Sequence, residues 1–153
     1  MYLEWSLSRM ESRTEAMLSL LGVRFEPHPV RLVQAITPPL MTLLEQPAFR
    51  GKREMGVDTV SEHGIAVGFD LGLLLCRVIL RVADPTFVVT VLRKPKSDLF
   101  YNKLVLRPSD DRWRGATWSP EHIGSVAVAG FVNRCQSPDD LPRIVRDIVA
   151  QLI

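Results

Sequence analysis

The sequence predicts an α+β fold, a single layer of mostly antiparallel sheet with N- and C-terminal helices packed on one face. Three observations carry this. Both ends of the chain repeat apolar residues at spacings of three and four. The middle holds the longest apolar block, GIAVGFDLGLLLCRVILRVADPTFVVTVLR over residues 64–93, with a turn signal inside it. No regular alternation of strand and helix patterns, internal repeat or low-complexity tract suggests a doubly wound or solenoid chain.

Residues 2–21 read as the first helix. Leu3, Leu7, Met10, Thr14, Met17, Leu18 and Leu21 fall near one face, and Gly22 suits the left-handed residue that ends a helix. Trp5 lies off this stripe, where it either widens the core-facing side or meets a partner. Val23–Glu26 alternates like a short strand stopped by Pro27-His28-Pro29, and Val30–Ile36 fits helix or an extended edge. Thr37 followed by Pro38 reads as a cap and first helical position, opening a short helix that Pro47 ends. Residues 48–61 are polar and lack a period, so they read as a mobile or binding loop.

The central block reads as strands over 64–71 and 72–83 broken near Gly72, with a buried helix over 71–80 as the rival. Val78, Leu80 and Val82 alternate with Arg77, Ile79 and Arg81. Ala83-Asp84-Pro85 then turns the chain, and Thr86–Leu92 returns as a β-branched strand. Residues 99–107 alternate again, with Phe100, Asn102, Leu104 and Leu106 as the core-facing set. Ser119-Pro120 signals a short helix before Gly124, and residues 125–133 fit a buried strand or a packed helix. Ser137-Pro138-Asp139-Asp140 opens the clearest helix. Its stripe is Leu141, Ile144, Val145, Ile148, Val149 and Leu152, and a charge at Ile148 is the change expected to damage it most.

Length and composition are those of one domain, 1–153. The opening MYLEWSLSRMESR lacks a basic start followed by an apolar core, and Asp70, Arg77, Arg81 and Asp84 interrupt the apolar block, so neither a signal peptide nor a membrane span is expected. Cys76 and Cys135 do not make a disulfide framework, which fits the cytoplasm or another reducing intracellular compartment.

The net charge of +2 is unevenly placed, since residues 93–114 hold seven basic and three acidic side chains. Arg93, Lys94, Lys96, Lys103, Arg107, Arg112 and Arg114 there interleave with Tyr101, Trp113 and Trp118. Cations of this kind position a phosphate backbone and aromatics stack on unpaired bases, yet Trp, Tyr and Arg are equally the anchors of protein interfaces. Arg77 and Arg81, on one face of the expected central strand, either open that sheet face as an interface or pair with acids.

Catalytic signatures are missing. His28, His63 and His122 stand far apart, and the chain has no phosphate-binding glycine loop, dinucleotide fingerprint or nucleophile elbow. No cofactor is expected. Asp58, Glu62, His63 and Asp70 form the one acid–base cluster, a weak metal site for a small metal-assisted hydrolase. The expected function is therefore non-catalytic binding of a macromolecule, as a protein–protein adaptor, assembly subunit, inhibitor or dedicated chaperone, with self-association a further option. Nucleic-acid binding through 93–118 is the alternative, and the hydrolase comes third.

Overall fold

The α+β class holds in the computed structural model, which describes residues 2–93, 96–97, 99, 101–110 and 118–152. Five helices carry most of the chain: α1 (Tyr2–Leu21), α2 (Pro29–Leu44), α3 (Glu62–Leu80), α4 (Pro120–Val132) and α5 (Asp140–Leu152). Among the described residues the strands do not join into one layer. They form two separate antiparallel hairpins, β1 (Arg50–Glu54) with β2 (Val57–Val60), and β3 (Phe87–Val91) with β4 (Leu104–Pro108).

The largest departure from the expected elements is α3. The stretch read as two strands is one helix that touches α1, α2, α4, β2 and β3. Leu71, Leu73, Leu74, Leu75, Cys76, Val78 and Ile79 are all buried, so partners on several sides of the helix erase the one-sided periodicity that marks an amphipathic helix. Its start is nonetheless written locally. The Ser61 hydroxyl accepts from the Gly64 N–H at 3.2 Å, and Glu62 lies in the positive first turn. This is also a helix long and apolar enough to cross a membrane, but over half of its apolar window is covered by the rest of the fold, as befits a core helix.

Glycines that read as strand breakers instead let α3 and α4 touch through their backbones. A Cβ on Gly72 would sit 2.8 Å from the Glu121 Cα, and one on Gly124 would sit 2.8 Å from the Gly72 nitrogen and closer still to the Gly68 carbonyl oxygen. Gly124 therefore does not end a short helix; α4 runs through it to Val132, capped by the Ser119 hydroxyl accepting from the His122 N–H. Residues 125–132 are thus helical.

Around this pair, α1 packs on α3 and α2 packs on α5. Met17, Leu18 and Leu21 of α1 and Leu141, Val145, Ile148 and Leu152 of α5 enter one core with Leu32, Ile36 and Leu40 of α2. Gly22 takes the left-handed conformation expected after α1. At α5, the Ser137 hydroxyl accepts from the Asp139 N–H, and the Asp140 carboxylate accepts from the Ser137 N–H. These bonds close a turn ahead of the helix, which itself starts at Asp140 with the Arg143 N–H on the Asp139 carbonyl, so Ser137 and Pro138 stand before α5 and are not its cap and first residue.

Three smaller expectations change. Val23–Glu26 is irregular and pairs with no strand among the described residues. Thr37-Pro38 does not open a helix. His28 caps α2, its Nδ1 accepting from the Arg31 N–H, and Pro38 and Pro39 lie inside the helix. The two intrahelical bonds they forgo would have gone to Gln34 and Ala35, both exposed, so water can satisfy those carbonyls. Residues 48–61 form a 3-10 turn and the first hairpin in place of a loop. Met55 and Gly56 both have positive φ, 49° and 80°, the two-residue turn that matches strand twist.

Candidate interaction surface

The β3–β4 hairpin carries most of the basic stretch. Its ladder runs from Phe87 opposite Pro108 to Val91 opposite Leu104, and Trp118 bridges to Leu106 on the far side of β4. Val105 and Leu106 are both buried, so both faces of β4 are covered. Several of the described cations are engaged locally. The Arg93 guanidinium donates to the Asn102 side chain. Lys103 lies 3.5 Å from the Glu121 carboxylate, which also accepts from the Leu104 N–H. Arg107 donates from Nε to the Pro108 carbonyl at 3.5 Å and lines, with Arg93, Val88 and Thr90, a cavity of about 310 Å³. Lys96 is exposed, Tyr101 is half-buried, and Trp118 packs against the core. Lys94, Arg112, Trp113 and Arg114 lie outside the described residues.

Arg77 in the last turn of α3 and Arg81 at its C-terminal cap lie one turn apart and face Phe25. The Arg77 guanidinium lies 4.1 Å from the ring centroid and that of Arg81 5.6 Å. Arg77 also donates to Glu15 at 2.6 Å and to the buried Thr14 hydroxyl at 3.0 Å. Of the two options open to these arginines, Arg77 takes the acid: it ties α3 to α1 and to the connection that follows.

The acidic cluster is dispersed. Asp58, on β2, pairs with Arg50 at 3.1 Å and Arg53 at 3.8 Å. Asp70 receives the Arg13 Nε at 2.6 Å. Glu62 and His63 are exposed in the first turn of α3. Among the described residues no three His, Cys, Asp or Glu side chains converge as a metal site would require. Cys76 is buried, and burial, with the Glu121 charge adding, pushes its thiol up to about 12. A thiol so held carries no thiolate near neutrality and is no nucleophile.

A different surface brings exposed apolar groups together. Trp5 on α1 and Phe69 on α3 hold their rings with centroids 6.1 Å apart. Ile65 lies one turn before Phe69, so the two share a helix face. Trp5 remains 45% exposed and Ile65 61%. Arg13 borders them, its guanidinium 5.8 Å from the Phe69 centroid while Asp70 fixes its Nε. The sequence marks Trp5 as off the main stripe, which is the one local signal for this patch. Ile65 and Phe69 are hidden from sequence reasoning by the strand assignment, since alternation sets neighbours two apart whereas the helix sets them four apart.

No family model, curated protein or solved structure matches the chain.

Proposed function

We propose that this chain is a non-catalytic protein-binding module that engages its partner through the Trp5–Ile65–Phe69 surface. The observation that carries the reading is the exposed tryptophan on a helix pair, set at a tilt beside a second aromatic and bordered by an arginine that Asp70 holds. Trp and Arg are the residue types that dominate interface energetics, and an apolar patch rimmed by charge is the usual form of such a site. The role is that of an adaptor, assembly subunit, inhibitor or dedicated chaperone, and the two unpaired cysteines suit a reducing intracellular compartment. Nucleic-acid binding ranks second. It draws on Arg93 and Arg107 sharing one cavity, but Arg93 is bonded to Asn102 and Lys103 is paired with Glu121.

The test is affinity capture from native extract with the wild-type chain and a Trp5→Ala/Ile65→Glu variant, both checked for an intact thermal transition. A stoichiometric partner held through high salt by the wild type and lost by the folded variant supports the reading. Equal retention by both removes this surface from consideration. Nucleic acid that is captured at low salt and released as salt rises shifts the function to the β3–β4 hairpin.

A further inference from the structure

The first hairpin and the C-terminal end of α4 border an open cavity of about 420 Å³ lined by Arg50, Arg53, Asp58, Asn133, Arg134 and Cys135, among others. Three arginines and a single carboxylate, Asp58, line it. Asp58 occupies part of two of the arginines, at 3.1 Å for Arg50 and 3.8 Å for Arg53, and the Arg53 Nη2 also donates to the Gly56 carbonyl. A guanidinium offers five N–H donors, so each fork keeps donors for a second oxyanion. The wall is rigid. The Asn133 side chain accepts from the Asp58 N–H at 2.8 Å and donates to the Asp58 carbonyl at 2.9 Å, locking β2 to α4.

Arg134 supplies an independent sign. The helix ends in a Schellman arrangement, with the Cys135 N–H on the Gly130 carbonyl and the Arg134 N–H on the Phe131 carbonyl. This places Arg134 at the position where glycine is favoured, and its φ is +56°. A non-glycine residue in that region costs about 1–2 kcal/mol. Among the described residues no hydrogen bond or ion pair ties down its exposed side chain, so internal contacts do not account for the strained arginine. Helix polarity does not account for three cations either, because the carbonyls of Ala129, Gly130 and Phe131 are already bonded within the motif.

We infer that this cavity binds a dianionic phosphate group, free or carried on a small monoester, with Arg50, Arg53 and Arg134 as its donors. Forked guanidinium groups match the oxygens of a tetrahedral phosphate in pairs, and the net charge of the lining suits a dianion. The volume lies within the roughly 300–1,000 Å³ of small-molecule sites, so the phosphate can carry an organic body. The site is separate from the Trp5 surface and stands whether or not that surface binds a partner.

Cys135 lines the cavity and reports on it, while buried Cys76 stays silent. The full chain is alkylated with neutral iodoacetamide, and modification of Cys135 is followed by mass spectrometry with inorganic phosphate, AMP, glycerol 3-phosphate, or chloride at matched ionic strength. Phosphate is expected to slow alkylation by about tenfold at ten times its Kd, with chloride inert. A monoester protecting at lower concentration than inorganic phosphate identifies a carried phosphate, and the reverse identifies the free ion. Arg134→Gly relieves the backbone, so it is expected to raise the melting temperature yet lose protection. Absence of protection by inorganic phosphate, equal protection by chloride, or full protection in folded Arg134→Gly overturns the inference.

Discussion

Gly124→Ala tests the backbone contact on which the α3–α4 pair depends. The added methyl would lie 2.8 Å from the Gly72 nitrogen and closer to the Gly68 carbonyl oxygen, both main-chain atoms that cannot rotate away. The helices must separate by a substantial fraction of an ångström, loosening contacts along the whole crossing. Overpacking of a tight site costs about 1–3 kcal/mol, and a backbone-on-backbone clash belongs at or beyond the upper end. Alanine returns about 1 kcal/mol through helix propensity. A net loss of about 2 kcal/mol or more remains, which lowers the melting temperature of a chain this size by about 4–8 °C. Differential scanning calorimetry on Gly124→Ala and on the adjacent exposed Ser125→Ala gives the comparison, the second variant staying within about 0.5 kcal/mol of wild type. A Gly124→Ala protein as stable as wild type would refute the close approach, because propensity alone would then govern the site.

Five further outcomes are expected. Ile148→Asp places an unpaired carboxylate in the core and costs more than about 4 kcal/mol, abolishing the cooperative urea transition, while Ile148→Val costs about 1 kcal/mol. Arg77→Ala removes the contacts to Glu15, Thr14 and Phe25 and lowers stability by about 1–2 kcal/mol in urea titration; no change would mean those contacts are solvated away. Met55→Asn supplies the residue preferred in the positive-φ turn, at a side chain that contributes no packing, and raises stability by about 0.5 kcal/mol. Neutral alkylation at pH 8 modifies one cysteine in the folded chain and two in guanidinium chloride. Because the Cys76 thiol is raised from 9.0 to about 12, its contribution to stability is fully present below pH 9 and is lost as pH climbs toward 12. Cys76→Val removes that part of the alkaline slope in a pH series of melting temperatures.

The proposed interaction surface was half legible. Trp5 stands out in the sequence as an aromatic off a helical stripe, but its neighbours Phe69 and Ile65 become neighbours only when residues 62–80 form a helix. The basic stretch was legible as a charge run, but the partners of its described cations were not. Glu121, seventeen residues beyond Leu104 in sequence, takes both the Lys103 ammonium and the Leu104 N–H, and spacing alone does not reveal such a partner. The arginine cavity was invisible for the same reason. Arg50 and Arg53 meet Arg134 only because Asn133 clamps β2 across 75 residues of chain.

Local chemistry specified the elements that face water on one side. The α5 stripe, the Thr14–Leu21 part of the α1 stripe, Gly22 after the first helix and the Ser137–Asp140 turn before the last all act over a few residues, so they can be read along the chain, while Leu7 of the expected α1 stripe is exposed. The β3 strand belongs with them, its β-branched run agreeing with its pairing. Tertiary packing settled the rest. Residues 71–79 are apolar on every side because every side is covered, which leaves no period to separate helix from strand. Gly68, Gly72 and Gly124 are ambiguous in isolation, since a missing side chain permits a turn, a bulge or a close approach, and only the second helix lying against them selects the last.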